Sequence, residues 1–435
     1  MTAQSIPTPS ARWAPRFFTI WGGQAVSLLG SQLVQFAIIW WLTKTTGSAT
    51  ILATASLVEL LPHVLLGPIS GTLVDRWNRR ITMILADSLT TLAIVVLAVL
   101  FALGRVEIWH IFVLLLVRSV AGTFHGNAML ASTSLMVPHE HLARIQGLNQ
   151  MLWGGMSILS APLGALLLEY LPLQGILAVD VGTALFAIIP LFFFSVPQPE
   201  RHDVPAEARG KTTFWQDFRS GLQYIWSWPG LLIICLMATM VNFLLNPAFS
   251  LLPILVTRHF NGQAIQLATM ESLSGIGVIA GGLVLSAWGG FKRRIMTSLV
   301  GVLGLGVGCL LIGLLSPTAF TVAVATMFFV GFVNPITNGP LMAAVQAVVS
   351  PEMQGRVFSL ISSMAAGMSP LGLLIAGPVA DKLGVQAWFI VGGVTTILMG
   401  VIGLVTPAVM RFEDGRNGHT QSEPTAQPTT QLEYT

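Results

Sequence analysis

The decade Gly71-Thr72-Leu73-Val74-Asp75-Arg76-Trp77-Asn78-Arg79-Arg80 sets one acid and three arginines between two apolar runs, 49–74 and 81–103. A helix crosses the hydrocarbon core of a bilayer with about 20 apolar residues, and each run supplies more. A short basic loop between two such runs places the runs in a membrane and the loop at its surface. The composition of the whole chain says the same. Of 435 residues, 54% are hydrophobic and 9% charged, against about 25% charged in an ordinary soluble protein. The 43 glycines and 24 prolines exclude a simple coiled coil, and both types are common in membrane helices. A soluble enzyme, a nucleic-acid binder and a disordered chain are excluded. The net charge of +3 reflects basic loops, as membrane topology requires.

Working outward from the loop, six runs precede the middle of the chain: 17–42, 49–74, 81–103, 108–136, 145–170 and 173–196. Six follow it: 230–257, 265–289, 295–315, 319–349, 356–380 and 386–410. No small-residue cleavage site follows a short apolar stretch, so the first run is expected to remain as a span. With the N-terminus placed in the cytoplasm, 16 Lys and Arg residues fall in inside loops and four (Lys44, Arg105, Arg258, Lys382) in outside loops, with Arg118 inside a span. That asymmetry predicts cytoplasmic termini in a cell membrane. The expected organisation is a six-helix bundle over 1–196, a cytoplasmic loop over 197–229, a second six-helix bundle over 230–410 and a disordered tail over 411–435. Trp215, Phe218, Leu222 and Ile225 recur at helical spacing, which suits a short helix on the membrane surface or one tucked against a bundle. Trp40, Trp41, Trp109, Trp226, Trp228 and Trp388 sit near span ends, where aromatic belts are expected.

The halves repeat each other. Arg144 and Arg356 precede the fifth and eleventh spans 212 residues apart, and Glu59 and Glu271 share that offset. Pro162-Leu163-Gly164 returns as Pro370-Leu371-Gly372, and Gly67-xxx-Gly71 as Gly277-xxx-Gly281, at offsets of 208 and 210. Two pseudo-symmetric six-helix bundles rocking about a central site are the architecture of alternating access. A channel would more often assemble separate subunits around a pore.

The opening decade resembles the cytoplasmic loop signature of the major facilitator superfamily, G-x-x-x-D-R-x-G-R-R, with Asn78 where the second glycine usually stands. Asn tolerates positive φ, so the turn is expected to survive. The resemblance implies a latch, built from Gly71, Asp75, Arg76, Arg79 and Arg80, that holds an outward-facing state. The counterpart from Gly282 to Arg294 has no acid, so the latch is expected in the first half only. Arg118 to Gly122 is similar to the family's span-four motif, R-x-x-x-G, associated there with proton coupling. Gly155, Pro162 and Gly164 lie in a stretch resembling the antiporter motif of its drug exporters, with Ala161 replacing a glycine. With Gly122 they are read as helix-packing residues. Further stretches, among them Leu61-Pro62, Val179-Asp180, Phe218 to Tyr224 and Gln354 to Val357, look like the drug-efflux branch that includes the macrolide exporters.

Charges inside spans are costly and mark function by default. Glu59 and Glu271, at equivalent positions of the repeats, are the candidates for a carboxyl that is protonated in one access state and meets water in the other. His63, one turn after Glu59, could tune it. Asp180 is the reserve proton carrier, with Arg118 as its counter-charge; the structural alternative for these groups is hydrogen bonding between helices. His125 is read as a packing hydrogen bond. There is no Walker motif, no metal-ligand spacing and no cofactor signature, so neither an enzyme nor an ATP-driven pump is expected. The expected function is secondary export of a small amphiphilic substrate in exchange for protons. The expected partners are that substrate, protons and membrane lipids, with no nucleic acid, and the chain is expected to be a monomer. Siderophore or lysolipid export and a transport-dead sensor or scaffold remain as alternatives.

Overall fold

The computed structural model describes residues 13–194, 196–198 and 214–414. Residues 199–213 of the loop expected over 197–229, and the tail expected over 411–435 beyond residue 414, lie outside the described residues. The first half holds α1 (Trp13–Thr46), α2 (Ala49–Val74), α3 (Arg79–Ala102), α4 (Ile108–Met136), α5 (His139–Tyr170) and α6 (Leu173–Phe193). After α7 (Phe214–Trp226) come α8 (Pro229–Ser250), the short α9 (Leu252–Ile254) with a π-helical turn over Leu255–His259, α10 (Ala264–Trp288) and α11 (Arg294–Leu314). The chain then continues through α12 (Phe320–Val348), α13 (Pro351–Leu383), α14 (Val385–Val405) and α15 (Pro407–Met410). Among the described residues there is no strand, and 12 helices are long and apolar enough to cross a membrane. The fold is all-α, with two six-helix bundles.

Local chemistry sets the element ends. Ser48 caps α2, its hydroxyl accepting from the Ile51 amide at 3.3 Å, as short polar residues do at helix starts. Asn78 caps α3 in the same way, accepting from Ile81 at 3.2 Å. Its φ of −73° corrects the expectation of a left-handed turn: Asn78 is used here for its side-chain acceptor. The span expected over 230–257 is broken after Ser250, because Pro253 has no amide to continue the ladder.

The loops bearing Arg76, Arg79, Arg80, Arg144, Lys292, Arg293, Arg294 and Arg356 all lie at one end of the molecule, here termed the basic end. Apolar packing differs between the two ends. At the far end one continuous core joins the bundles, with Phe36, Trp40, Ala49, Leu52, Ala53 and Ala161 packed among Leu244, Ala248, Leu267, Met270, Ala376 and Phe389. At the basic end the cores are separate, one built on Phe17, Met83 and Ile145 and another on Ile225, Leu231, Val345 and Phe412. The bundles therefore meet at the far end and part toward the basic end. Small residues make the close approaches: the α-carbons of Gly277 and Gly281 in α10 lie against the Phe328 and Phe332 backbone of α12, where a Cβ would collide.

The helix α7 docks on the second bundle, with Ile225 buried, Tyr224 stacked on Trp228 at 6.0 Å and the Ser220 hydroxyl within 3.4 Å of Arg356 Nη1. Trp226 stays exposed. The aromatic-belt reading needs correction at two positions. Trp40 and Trp388 are buried in the joint core, and Trp388 donates its indole N–H to the Leu244 carbonyl at 2.9 Å, because a buried indole nitrogen needs an acceptor.

Candidate functional site: a central cavity beside a buried charge cluster

A cavity of about 850 Å³ opens between the bundles, midway along α2, α8 and α13. One wall carries Ser56, Glu59, Leu60 and His63 of α2; the opposite wall carries Asn242, Asn246 and Phe249 of α8 with Ser362, Ser369 and Leu373 of α13. The walls thus carry mostly polar side chains, with Leu60, Phe249 and Leu373 supplying apolar contact. The Asn246 amide donates to Asn242 Oδ1 at 2.9 Å and to Ser369 Oγ at 2.6 Å. Both amide hydrogens are then used, and the carbonyl oxygen of Asn246 is left as an acceptor.

Behind the α2 wall lies a cluster of charges. Gln35 of α1 donates to Glu59 Oε2 at 2.6 Å. Ser119 of α4 donates to the Glu59 backbone carbonyl, and so accepts from His63 Nδ1 at 2.9 Å. That chain of donors puts the Nδ1 proton on His63 and leaves Nε2 free to face the cavity. Arg118 Nη2 donates to the Ser31 carbonyl at 3.0 Å, and the Ser31 hydroxyl donates to Asp180 Oδ1 at 3.3 Å. Arg118 is within electrostatic reach of both Glu59 and Asp180. Asp180 is 1% exposed. Among the protein atoms described, Arg118 Nη1, Asp180 Oδ2 and Gln35 Oε1 are buried without a hydrogen-bond partner. Two acids therefore share one guanidinium with spare bonding capacity.

The structure thus brings Glu59, His63, Arg118 and Asp180 together. Glu271 stands apart. It is half-buried on α10, outside the cavity wall, and its carboxylate has no hydrogen bond or ion pair among the described residues. Its neighbour Ser272 donates to the Ile158 carbonyl of α5 at 2.9 Å, where the bundles touch. In the loop signature, Asp75 is exposed and, among the described residues, its carboxylate reaches Arg79, at 3.4 Å. Arg79 also donates to the Ala131 carbonyl at 2.9 Å, and Arg80 to the carbonyls of Leu191 and Phe192. These contacts lie within the first bundle. Gly164 packs on Phe36 with 2.8 Å for a Cβ, whereas a Cβ at Gly71, Gly122 or Gly155 meets nothing within 4 Å. In this conformation those three glycines face open space.

Two acids went unread in the sequence. Asp87 of α3 lies 3.4 Å from His125 Nε2 and accepts from Gln24 at 3.2 Å, a second polar layer about 10 Å along α4 from Arg118. An acid inside the apolar run 81–103 was its signal. Asp381 sits at the far end, and its signal was a glycine four residues before an acid, the spacing of Gly71 and Asp75.

The geometry defines a solute carrier of two bundles around a central cavity, and comparison with known proteins agrees. The Major Facilitator Superfamily family model matches residues 20–373 and 252–428. The chain belongs to that superfamily, a family of transporters rather than enzymes. It is 33% identical over 390 residues to Macrolide efflux protein A of Streptococcus pyogenes, covering 90% of this chain and 95% of the relative. It is 30% identical over 327 residues to Macrolide efflux protein A of Enterococcus faecalis, covering 75% of this chain and 100% of the relative. In fold it is similar to a bacterial homologue of the human lysosomal transporter Spinster, solved inward-facing and unoccupied, with a TM-score of 0.65, 15% identity and coverage of 96% and 100%.

Proposed function

We propose that this chain is a secondary active exporter that expels an amphiphilic, macrolide-like compound in exchange for protons by alternating access. In this reading both termini and the basic end face the cytoplasm, the halves 1–196 and 230–410 move as units, and the chain works as a monomer. The observation that carries it is a titratable carboxyl, Glu59, on the wall of the cavity between the bundles, backed by Arg118 and Asp180. The names and extent of the macrolide efflux relatives support the direction and the substrate class.

The chemistry follows from the cluster. Ionised, Glu59 accepts from Gln35; protonated, it can donate to the Gln35 carbonyl after an amide flip, so either state is served. Phe249, Leu60 and Leu373 offer apolar contact, and Glu59 and Asn246 offer acceptors to a cationic or hydroxyl-bearing ligand. A proton and a cationic substrate then compete for one carboxylate, which is the logic of antiport. One proton moving through 100 mV releases about 2.3 kcal/mol, enough for a roughly fifty-fold substrate gradient. The test is accumulation of a radiolabelled macrolide in cells expressing the chain. Lower accumulation that rises to the level of empty cells on adding a protonophore supports the reading. Accumulation equal to that of empty cells throughout contradicts it.

A further inference from the structure

At the far end, the carboxylate of Asp381, on the last turn of α13, reaches across the seam to the first turn of α2. It accepts from the Ala49 amide at 2.8 Å, the Thr50 amide at 2.9 Å and the Ser48 hydroxyl at 2.8 Å. Arg258, from the π-helical turn, closes on the same carboxylate at 3.3 Å. One residue of the second bundle thus satisfies two free amides at the start of a helix in the first, where the helix dipole also favours an anion. One turn earlier on α13, Gly377 lets the helices touch: a Cβ there would stand 2.8 Å from Thr50 Cα and 2.9 Å from Ala53 Cβ.

The same spacing occurs twice in the chain. Gly377-Pro378-Val379-Ala380-Asp381-Lys382 ends α13, and Gly71-Thr72-Leu73-Val74-Asp75-Arg76 ends α2. Each is a glycine, then an acid four residues on, then a base, at a helix C-terminus. The first set meets the start of α2, and the starts of both helices follow a serine at the cap position, Ser48 for α2 and Ser350 for α13. An axis lying in the membrane plane would exchange α2 with α13, and with them the two ends of the molecule, as inverted repeats do. In this structure only the far-end set is engaged. Asp75 is 70% exposed, and Gly71 has nothing near it.

We infer that Asp381, with Gly377, is a second latch, the inverted counterpart of Asp75 with Gly71, and that the two engage in turn: Asp381 on the α2 start when the far end is shut, Asp75 on the α13 start when the basic end is shut. This departs from the expectation of a latch in the first half alone. The second bundle has one at the opposite end, out of register with the translational repeat of 208 to 212 residues. Pro351, first in α13, has no amide to donate, so the basic-end latch has one backbone donor fewer and the far-end-shut state is favoured at rest.

The inference rests on the alternating-access reading, and its test separates the two. Full-length protein with Cys235→Ala and Cys309→Ala, spin-labelled at Arg105→Cys and Thr318→Cys on far-end loops of opposite bundles, reports far-end opening as a distance distribution. Asp381→Asn is expected to raise the far-end-open population roughly tenfold, the scale of a lost charge-assisted hydrogen bond. Gly377→Val is expected to shift it the same way, and the double variant Asp75→Asn/Asp381→Asn to return it toward the parent. If Gly377→Val opens the far end while Asp381→Asn matches the parent, the latch is wrong and alternating access stands. A single short distance in every variant overturns both.

Discussion

At the scale of single residues, Arg118 stands between two acids. Glu59 and Asp180 both lie within its field, and its own hydrogen bond goes to a carbonyl, not to either acid. Arg118 is half-buried, and removing it leaves its acids uncompensated, at a cost below the roughly 3–5 kcal/mol measured for fully buried pairs in soluble proteins. Arg118→Met is therefore expected to lower the melting temperature of the purified protein markedly. Adding Asp180→Asn is expected to recover much of that loss without recovering proton-driven transport. Full stability of Arg118→Met would show that the cluster does not depend on its charge. The two glutamates of the repeat separate in the same way. Glu59 is on the cavity wall with a donor attached, while Glu271 lies at the α5–α10 seam. Glu271→Gln is accordingly expected to retain proton-driven efflux within about two-fold of the parent, read as initial rates.

At the scale of helices, the closest approaches are backbone against backbone. A side chain at Gly281 would enter the Phe332 carbonyl, and overpacking of that kind costs about 1–3 kcal/mol or more. Gly281→Leu is expected to abolish monodisperse, folded protein on size-exclusion chromatography, whereas Gly122→Ala, facing open space, is expected to elute as the parent does. The pair is instructive about what sequence carries. Span number and limits were legible because apolar runs bounded by Arg, Pro and Gly follow from the cost of burying charge, and α2, α4 and α12 begin and end within a residue of their runs. Which glycines pack was not legible: Gly67-xxx-Gly71 and Gly277-xxx-Gly281 share a spacing, yet in this conformation only the second pair has a partner, because tertiary placement decides it. Asn78 misled for a related reason, since one residue type suits both a left-handed turn and a helix cap. The polar partners Gln35, Ser31 and Ser119 gave no signal at all, being ordinary residues made important by what stands opposite.

At the scale of the whole molecule, the unequal ends carry the account. One core joins the bundles at the far end, two separate cores lie at the basic end, and the cavity stands between. With the basic end cytoplasmic, as proposed from the loop arginines, a reporter active only outside the cytoplasm is expected to be silent when fused after Phe412 and active when fused in the loop at Arg105. The reverse pattern would invert the transport direction proposed here. The central claim is that protons drive export through Glu59. It is tested most directly in proteoliposomes with an acidic lumen, by following radiolabelled macrolide uptake under the imposed pH gradient and, separately, its exchange at equal pH. The parent is expected to show gradient-driven uptake that a protonophore collapses. In Glu59→Gln that uptake should fall at least ten-fold while exchange at equal pH survives. Undiminished gradient-driven uptake in Glu59→Gln would contradict it.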